Sequence, residues 1–256
     1  MAYHGKNGNA VFSAALVNLQ NWSLNAIGET ADATAMGDTW GIHLPGLTDF
    51  NASSEGLSKK ALDTIALIGS GASLTLTMDG VSSPSFSGTA ILTALTETVN
   101  YENNGTISYS FEGNDAAGLV YAATGGVAAS GSANAFHGKT CKADFNGAIT
   151  DVREWSISLS CPTANTTAAH ATNKGRTRLA GVNGATASLV TLASGDFQCA
   201  VGDSQTLALH RTATAADGYY DGTAICTGAE EGVNRDGEEI VTYTFLYTDT
   251  VTLETN

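Results

Sequence analysis

The chain has 256 residues, of which 43% are hydrophobic and 14% are charged, and its 25 acidic residues outnumber its 11 basic residues to give a formal net charge of −14. This apolar content is enough to bury a core and excludes a disordered chain. The acidic balance excludes stable binding to nucleic acid, which requires basic patches that displace counterions from phosphate. With 29 glycines and only 3 prolines, the composition favours an all-β protein of many short strands joined by glycine turns.

The sequence also bears on the cellular compartment. The segment from Met1 to Gly8 has no basic region that leads into an apolar run, so we expect no secretion signal. No apolar run approaches the roughly 18 residues that a membrane helix needs. We therefore expect a protein that is made in the cytoplasm and does not associate with membranes.

In chain order, the first half of the sequence predicts strands with one short helix. Trp22, like Trp155 in the second half, lies in an alternating segment, where we interpret it as a core anchor. Residues 58–68 carry an apolar stripe at helical spacing and are followed by Gly69, a natural helix stop. Residues 74–78 and 107–111 alternate apolar and hydroxyl side chains, the pattern of half-buried antiparallel strands.

The second half of the sequence also predicts strands and one short helix. Residues 189–201 occupy the position of the helix, with a weaker helical pattern, and residues 241–245 alternate as a strand. Asn103-Asn104-Gly105 and Arg235-Asp236-Gly237 each precede the last strand of a half. Asn-Gly and Asp-Gly suit tight hairpin turns, so we predict that both halves close with a hairpin.

An internal repeat organises these elements. His4-Gly5-Lys6 and Trp22-Ser23 recur 133 residues later as His137-Gly138-Lys139 and Trp155-Ser156, and residues 88–91 recur as residues 222–225. Small changes in spacing are typical of insertions in surface loops. We therefore predict two tandem β-sandwich or barrel domains, over residues 1–125 and 126–256, joined by a small-residue linker at about residues 121–136.

Several patterns that carry chemistry in other proteins occur in the chain, but we assign no catalytic, cofactor-binding or metal-binding residue. Gly138-Lys139-Thr140 resembles the end of a phosphate-binding loop, yet it leads into an apparent strand start at residues 143–145 instead of a helix. The carboxylate pairs Glu230-Glu231 and Glu238-Glu239 flank a predicted hairpin tip, where acidic residues are usually solvated. We expect a protein that is not an enzyme and that needs no cofactor.

The cysteines and histidines lack the spacing of metal ligands. Because we expect a protein made in the cytosol, buried thiols are favoured over disulfides, which stay the alternative. We interpret the histidines as exposed or hydrogen-bonded side chains instead of ligands. These residues are Cys141, Cys161, Cys199, Cys226, His4, His43, His137, His170 and His210.

Two stretches of the first half carry a resemblance to a known family. Residues 31–40, Ala-Asp-Ala-Thr-Ala-Met-Gly-Asp-Thr-Trp, are followed by Leu-Pro-Gly-Leu-Thr-Asp-Phe-Asn-Ala-Ser-Ser-Glu-Gly at residues 44–56. Together with residues 86–92, 99–101 and 107–113, they resemble the signature of the major tail tube proteins of long-tailed, siphovirus-like bacteriophages. In the second half, residues 173–176 replace the run of residues 37–41.

The resemblance implies a structural protein of the virion tail, in which six such domains form a ring and stacked rings form the channel for DNA. If each chain supplies two domains, three chains make a pseudo-hexameric ring. The implied partners are further copies of the chain and other tail proteins at the tube ends, while DNA passes without specific binding. A capsid decoration protein, or another non-catalytic β-sandwich virion or adhesin protein, is the alternative.

The resemblance also directs attention to contacts between rings. We expect a long loop at residues 41–60 to reach the next ring, because a loop longer than about 12 residues is usually functional.

Overall fold

The computed structural model describes residues 5–15, 19–37, 39–58, 67–81, 83–124, 126, 135–168, 174–193, 197–214, 217–232 and 239–254, and these form an all-β protein, as predicted. Short 3₁₀ turns occur at Gly5–Asn7 and Gly138–Thr140. The strands are β1 Asn9–Phe12, β2 Ala14–Ala15, β3 Leu19–Asp32, β4 His43–Leu57, β5 Gly71–Thr77, β6 Ser85–Asn100, β7 Thr106–Gly113, β8 Val120–Ala122, β9 Lys142–Phe145, β10 Ala148–Ile149, β11 Val152–Ser160, β12 Thr163–Asn165, β13 Arg178–Ala180, β14 Gly184–Leu192, β15 Ser204–His210, β16 Tyr219–Gly232, β17 Ile240–Tyr247 and β18 Thr252–Glu254.

Sixteen of these strands form one hydrogen-bonded sheet, and β12 and β13 form a separate pair. All pairings between these strands are antiparallel. The longest strand, β6, pairs with β5, β7 and β8 of its own half, and also with β11. The β6–β11 pairing therefore connects the two halves of the chain edge to edge.

The strands of residues 5–122, the first half, pair in the same order as those of residues 138–254, the second half. In the first half β1 pairs with β2 and β5, β5 with β6, β6 with β7 and β8, and β7 with β4, which pairs with β3. In the second half β9 pairs with β10 and β15, β15 with β16, β16 with β17 and β18, and β17 with β14, which pairs with β11. Bulges interrupt β6 between Leu92 and Ala94, and β16 between Cys226 and Gly228.

The core follows the alternation of the strands, which confirms the predicted strands at residues 74–78, 107–111 and 241–245. Corresponding aromatic pairs pack in each half, with ring centroids of Phe12 and Phe111 5.0 Å apart and those of Phe145 and Phe245 5.2 Å apart. Such tilted aromatic pairs add specific geometry to the burial of apolar area. The cores of the two halves are therefore built in the same way.

The tryptophans also correspond. The indole N–H of Trp155 donates to the carbonyl of His210 at 3.0 Å, and that of Trp22 donates to the carbonyl of Thr77 at 3.2 Å. Trp155 is fully buried, as expected of a core anchor, whereas Trp22 is only half-buried.

The prediction of a long loop at residues 41–60 is wrong, because most of this segment forms β4. The inward positions of this segment are Phe50, Ala52, Ser54, Gly56 and Ser58, all of which are buried. Small and polar residues at these positions conceal the alternation that identifies a half-buried strand. The true connection between β3 and β4 is shorter and lies at residues 33–42.

The helix predictions have two outcomes. Most of the first, residues 59–66, lies outside the described residues. The second is wrong at residues 189–192, which belong to β14 and bury Leu189 and Thr191 on alternate positions.

The predicted hairpin turn at residues 103–105 is confirmed, because it lies between β6 and β7. Its counterpart at residues 235–237 lies outside the described residues, as does most of the predicted linker. The division into domains at residue 125 stays a prediction. Each of the four cysteines is a buried free thiol, as predicted. In the described part of the chain, no helix has the length and apolar character to span a membrane.

Candidate assembly interface

The junction between the halves is an antiparallel pairing of residues 94–100 of β6 with residues 154–160 of β11. Backbone bonds extend it at both ends, where Tyr101 N–H donates to the Arg153 carbonyl and Cys161 N–H donates to the Thr93 carbonyl, at 2.9 and 2.8 Å. We call this pairing the internal joint.

The inward face of the internal joint is completely buried. Leu95 and Val99 of β6 lie on the same face as Trp155 and Ile157 of β11, and all four side chains have no exposed surface. An apolar contact of this kind is stabilised mainly by the removal of surface from water. The two halves therefore share one core at the joint.

A glycine permits the close approach of the chains at one end of the joint. A Cβ at Gly138 would lie 2.2 Å from the Asn100 carbonyl oxygen, a distance that atoms cannot adopt. Beside it, the Asn100 side chain donates to Glu154 at 2.5 Å, and the Arg153 guanidinium lies 3.9 Å from the centre of the Tyr101 ring. Cation–π and charge-assisted contacts thus close this end.

A buried ionic cluster lies beneath the joint. Glu97 of β6 receives two hydrogen bonds from Arg211, from Nε at 2.7 Å and from Nη2 at 2.8 Å. The hydroxyls of Tyr220 and Ser58 also donate to the Glu97 carboxylate. Because Glu97 comes from the first half and Arg211 and Tyr220 from the second, the cluster ties the halves together.

Burial and the charge of Glu97 oppose each other in setting the pKa of Arg211 and act in the same direction on the pKa of Tyr220. Burial by itself would lower the pKa of Arg211, but the charge and hydrogen bonds of Glu97 outweigh it and raise that pKa above its ordinary value. Burial, together with the negative charge of Glu97, raises the pKa of Tyr220 well above its usual range. Arg211 is therefore charged and Tyr220 is a neutral hydrogen-bond donor at physiological pH.

A second contact between the halves is ionic and partly exposed. Arg178 of β13 binds both carboxylate oxygens of Asp49, at 2.9 and 2.5 Å, and its Nε lies 3.2 Å from Glu112. Hydrogen bonding to Asp49 raises the pKa of Arg178. Arg176 forms an ion pair with Glu29. The β12–β13 pair is thus held against β4 and β7 of the first half.

The counterparts of the two strands of the internal joint, β3 in the first half and β16 in the second, each have an edge that pairs with no described strand. Among the described residues, β3 pairs only with β4, although its counterpart β11 pairs on both sides. Residues 228–232 of β16 pair with β17 on one side and with no described strand on the other, although the corresponding part of β6 pairs on both sides. A cavity of about 530 Å³ adjoins the open edge of β3 and is lined by Lys6, Leu19, Trp22 and Met78, among others.

The connection between β3 and β4, together with the first residues of β4, carries exposed apolar side chains. Trp40 is 85% exposed, Leu44 is 55% exposed, and Met36 and Ile42 are also exposed. Exposed apolar side chains grouped on one short segment make that segment a candidate contact surface. This segment, residues 33–44, is called the hairpin arm below.

Among the described residues, His137, His210 and Gly138–Thr140 make local contacts. His137 accepts a hydrogen bond from the Lys139 backbone, and His210 lies 3.1 Å from Asp144 and stacks on Tyr219. Gly138–Thr140 forms a 3₁₀ turn that leads into β9, so the predicted strand start is confirmed. His4, His170 and Glu238 lie outside the described residues. The described part of the chain contains no group of three or more side chains placed to hold a metal ion.

Sequence reasoning missed the buried cluster, although a signal for it exists. Glu97 occupies an inward position between Leu95 and Val99 of an alternating strand, where a charge requires a buried partner. Arg211 directly follows the apolar alternation of β15. No feature of the sequence indicates that these two residues, which are far apart in the chain, form a pair.

No protein-family model and no curated protein matches the sequence. Among solved structures, a chain in the tail of an empty GTA particle with C6 symmetry is 16% identical, with a TM-score of 0.37, and the match covers 45% of this chain and 95% of that chain. A chain of the native gene transfer agent (GTA) virion is also 16% identical, with a TM-score of 0.38, and the match covers 47% of this chain and 99% of that chain.

Proposed function

We propose that the chain is a structural subunit of a phage-like tail tube. Each chain supplies two similar domains, residues 1–125 and 126–256, and three chains close a pseudo-hexameric ring. Rings stack into a channel in the virion tail, through which DNA passes without being bound. Other tail proteins contact the two ends of the tube, and the subunit has no catalytic role.

The observation that carries the proposal is the internal joint between halves that share one order of strand pairing. A head-to-tail contact between equivalent units generates a ring when its rotation closes. One chain would then already contain one such contact, with one unit on each side of it. The resemblance of residues 31–56 to tail tube proteins agrees with this arrangement.

The charge of the chain supports the role of a conduit. A net charge of −14 repels the phosphates of DNA, so an acidic tube does not retain the molecule that must move through it. A basic wall would instead release counterions from DNA and bind it.

The hairpin arm supports contact between rings. Its exposed apolar residues, Met36, Trp40, Ile42 and Leu44, gain stability only if another molecule covers them. In the second half, the β12–β13 pair occupies the corresponding place in the chain and contacts the first half through Arg178, although its Leu179 is also exposed. The arm therefore replaces the loop of residues 41–60 as the proposed stacking element.

Negative-stain electron microscopy of the concentrated chain, combined with native mass spectrometry, tests the proposal. We expect hollow rings or tubes with a sixfold end view and a ring mass of three chains, each of 26.1 kDa. A ring of six chains would contradict the two-domain arithmetic. Compact isolated particles at every concentration would contradict the tube and favour a decoration protein.

A further inference from the structure

We infer that residues 228–232 of β16 in one chain pair antiparallel with residues 23–27 of β3 in a second copy, as an intermolecular version of the internal joint. The inference rests on the proposed ring only for the number of chains that close it. The pairing itself is argued from the edges and burial of this chain.

The register follows from the correspondence between the halves. The bulged strands β6 and β16 correspond at a spacing of 134 residues, since Leu92 and Ala94 match Cys226 and Gly228. The strands β3 and β11 correspond at 133 residues, with bulges at Leu19/Asn21 and Val152/Glu154. Transferring the internal joint, in which Thr96 faces Ser158, places Glu230 of one copy opposite Asn25 of the next.

Burial identifies the same two edges independently. In the internal joint, Trp155, Ile157 and Leu159 are buried beneath β6, whereas their counterparts Trp22 and Leu24 are half-buried and Ala26 is exposed.

The opposite edge shows the same difference. Leu95 and Glu97 are fully buried, whereas their counterparts Ala229 and Glu231 are half-buried and exposed, respectively. Both surfaces therefore lack the cover that the internal joint provides.

The cavity beside β3 adjoins the end of the proposed pairing that holds Glu231 and Gly232. It lies where β6 lies in the second half, because its lining residues Leu19, Trp22 and Met78 correspond to Val152, Trp155 and Arg211. In the transferred register, Ala229 lies opposite Ala26, and Glu231 lies opposite Leu24 and points toward Met78 at the cavity, as Glu97 points toward Arg211. The edge of β3 therefore fits a short, acidic strand that pairs antiparallel with it, and residues 228–232 of a second copy are such a strand.

The two joints differ in their ionic contacts. The positions of Arg211 and Tyr220 are taken by Met78 and Phe86 in the first half, so Glu231 meets no buried cation there. Lys6, which lines the cavity and is exposed, provides an opposite charge at its rim. An exposed pair of this kind is screened by salt. The intermolecular joint therefore relies on backbone pairing and apolar contact.

Disulfide trapping with the double variant N25C/E230C tests the register. The backbone bonds of the internal joint make Thr96 and Ser158 a pair without mutual backbone hydrogen bonds, the type in which the two side chains lie closest. Asn25 and Glu230 are both exposed, and the four native thiols are buried, so the variant folds and reports on the new cysteines. Under mild oxidation we expect covalent dimers and trimers that reducing agent reverses.

The matched control is A26C/E230C, because Ala26 is exposed like Asn25 and adjoins it on β3. A shift of one residue places the two side chains on opposite faces of the sheet, so we expect at least a tenfold lower yield of covalent oligomer. Equal yields from the two variants would overturn the register. Rings by electron microscopy without a cross-link in N25C/E230C would overturn the pairing and leave the proposed tube intact.

The remaining outcomes separate the two proposals. Cross-linked trimers that form no rings or tubes would support the pairing and contradict the tail tube. A chain that stays monomeric at every concentration and forms no intermolecular disulfide would overturn both.

Discussion

At the scale of single residues, the most informative group is the buried cluster of Glu97, Arg211, Tyr220 and Ser58. Removing water from two charges is costly, and their attraction offsets that cost only when hydrogen bonds satisfy the remaining polar atoms. Here the Glu97 carboxylate accepts from three other side chains, whereas Nη1 of Arg211 is buried and has no hydrogen-bond partner among the described residues. The corresponding positions in the first half include Met78 and Phe86, so the fold also tolerates an apolar arrangement at this place.

We predict that E97Q destabilises the chain strongly because it leaves the charge of Arg211 buried without an opposite charge. The expected loss is about 3–5 kcal/mol in the free energy of unfolding, measured by urea denaturation. The double variant E97M/R211M, which imitates Met78, should recover more than half of this loss. If the loss in E97M/R211M equalled the sum of the losses in E97M and in R211M, the two residues would not be coupled.

The buried thiols predict the behaviour of the chain in alkali. Burial raises the pKa of Cys141 to about 11 and that of Cys199 to about 12, from an ordinary value of 9.0. Above pH 9 the unfolded chain releases these protons while the folded chain keeps them, so the free energy of unfolding falls as the pH rises from about 9 to 11.

The measurement is the free energy of unfolding at several pH values across that range under reducing conditions. The C141A/C199A variant should show a shallower decline, because two of the groups that titrate differently in the two states are gone. An identical slope in the variant would assign the decline to other groups, such as the buried Tyr220 and Tyr247.

At the scale of elements, the internal joint depends on the close approach of a 3₁₀ turn and a strand end. We predict that G138A destabilises the chain by about 1–3 kcal/mol, because a methyl group there overlaps the backbone of Asn100. Thermal unfolding provides the measurement. The matched control is G28A on β3, where a Cβ would have no atom within 4 Å, and its effect should stay within about 0.5 kcal/mol. Equal effects would show that the close approach at Gly138 relaxes without cost.

The strands also show why pattern reading succeeded in some places and failed in others. Residues 74–78 and 107–111 place large apolar side chains on alternate positions, so their strands were predictable. In β4 three of the buried positions hold Ala52, Ser54 and Gly56. These residues are too small or too polar for the sequence pattern to indicate that they are buried. A neighbouring strand, not the local sequence, decides that these positions face the core.

At the scale of the whole molecule, net charge determines which long-range partners the chain attracts. We predict that neither the free chain nor its assemblies retain duplex DNA at physiological salt, because a net charge of −14 repels phosphate. An electrophoretic mobility shift assay over a range of salt concentrations gives the test. Binding that weakens steeply with salt would reveal a basic surface and contradict the proposed conduit.

The sequence by itself determined the strand class, the repeated order of motifs, the buried thiols and the absence of a basic character, because these depend on composition and short-range periodicity. Only the tertiary structure decided that β6 joins β11, that Glu97 meets Arg211, and that β3 and β16 each leave an edge open. Pairing between distant strands is set by the register and packing of many residues together, and neither property can be read from one segment. The same physics, applied to the open edges, leads from one chain to the proposed ring.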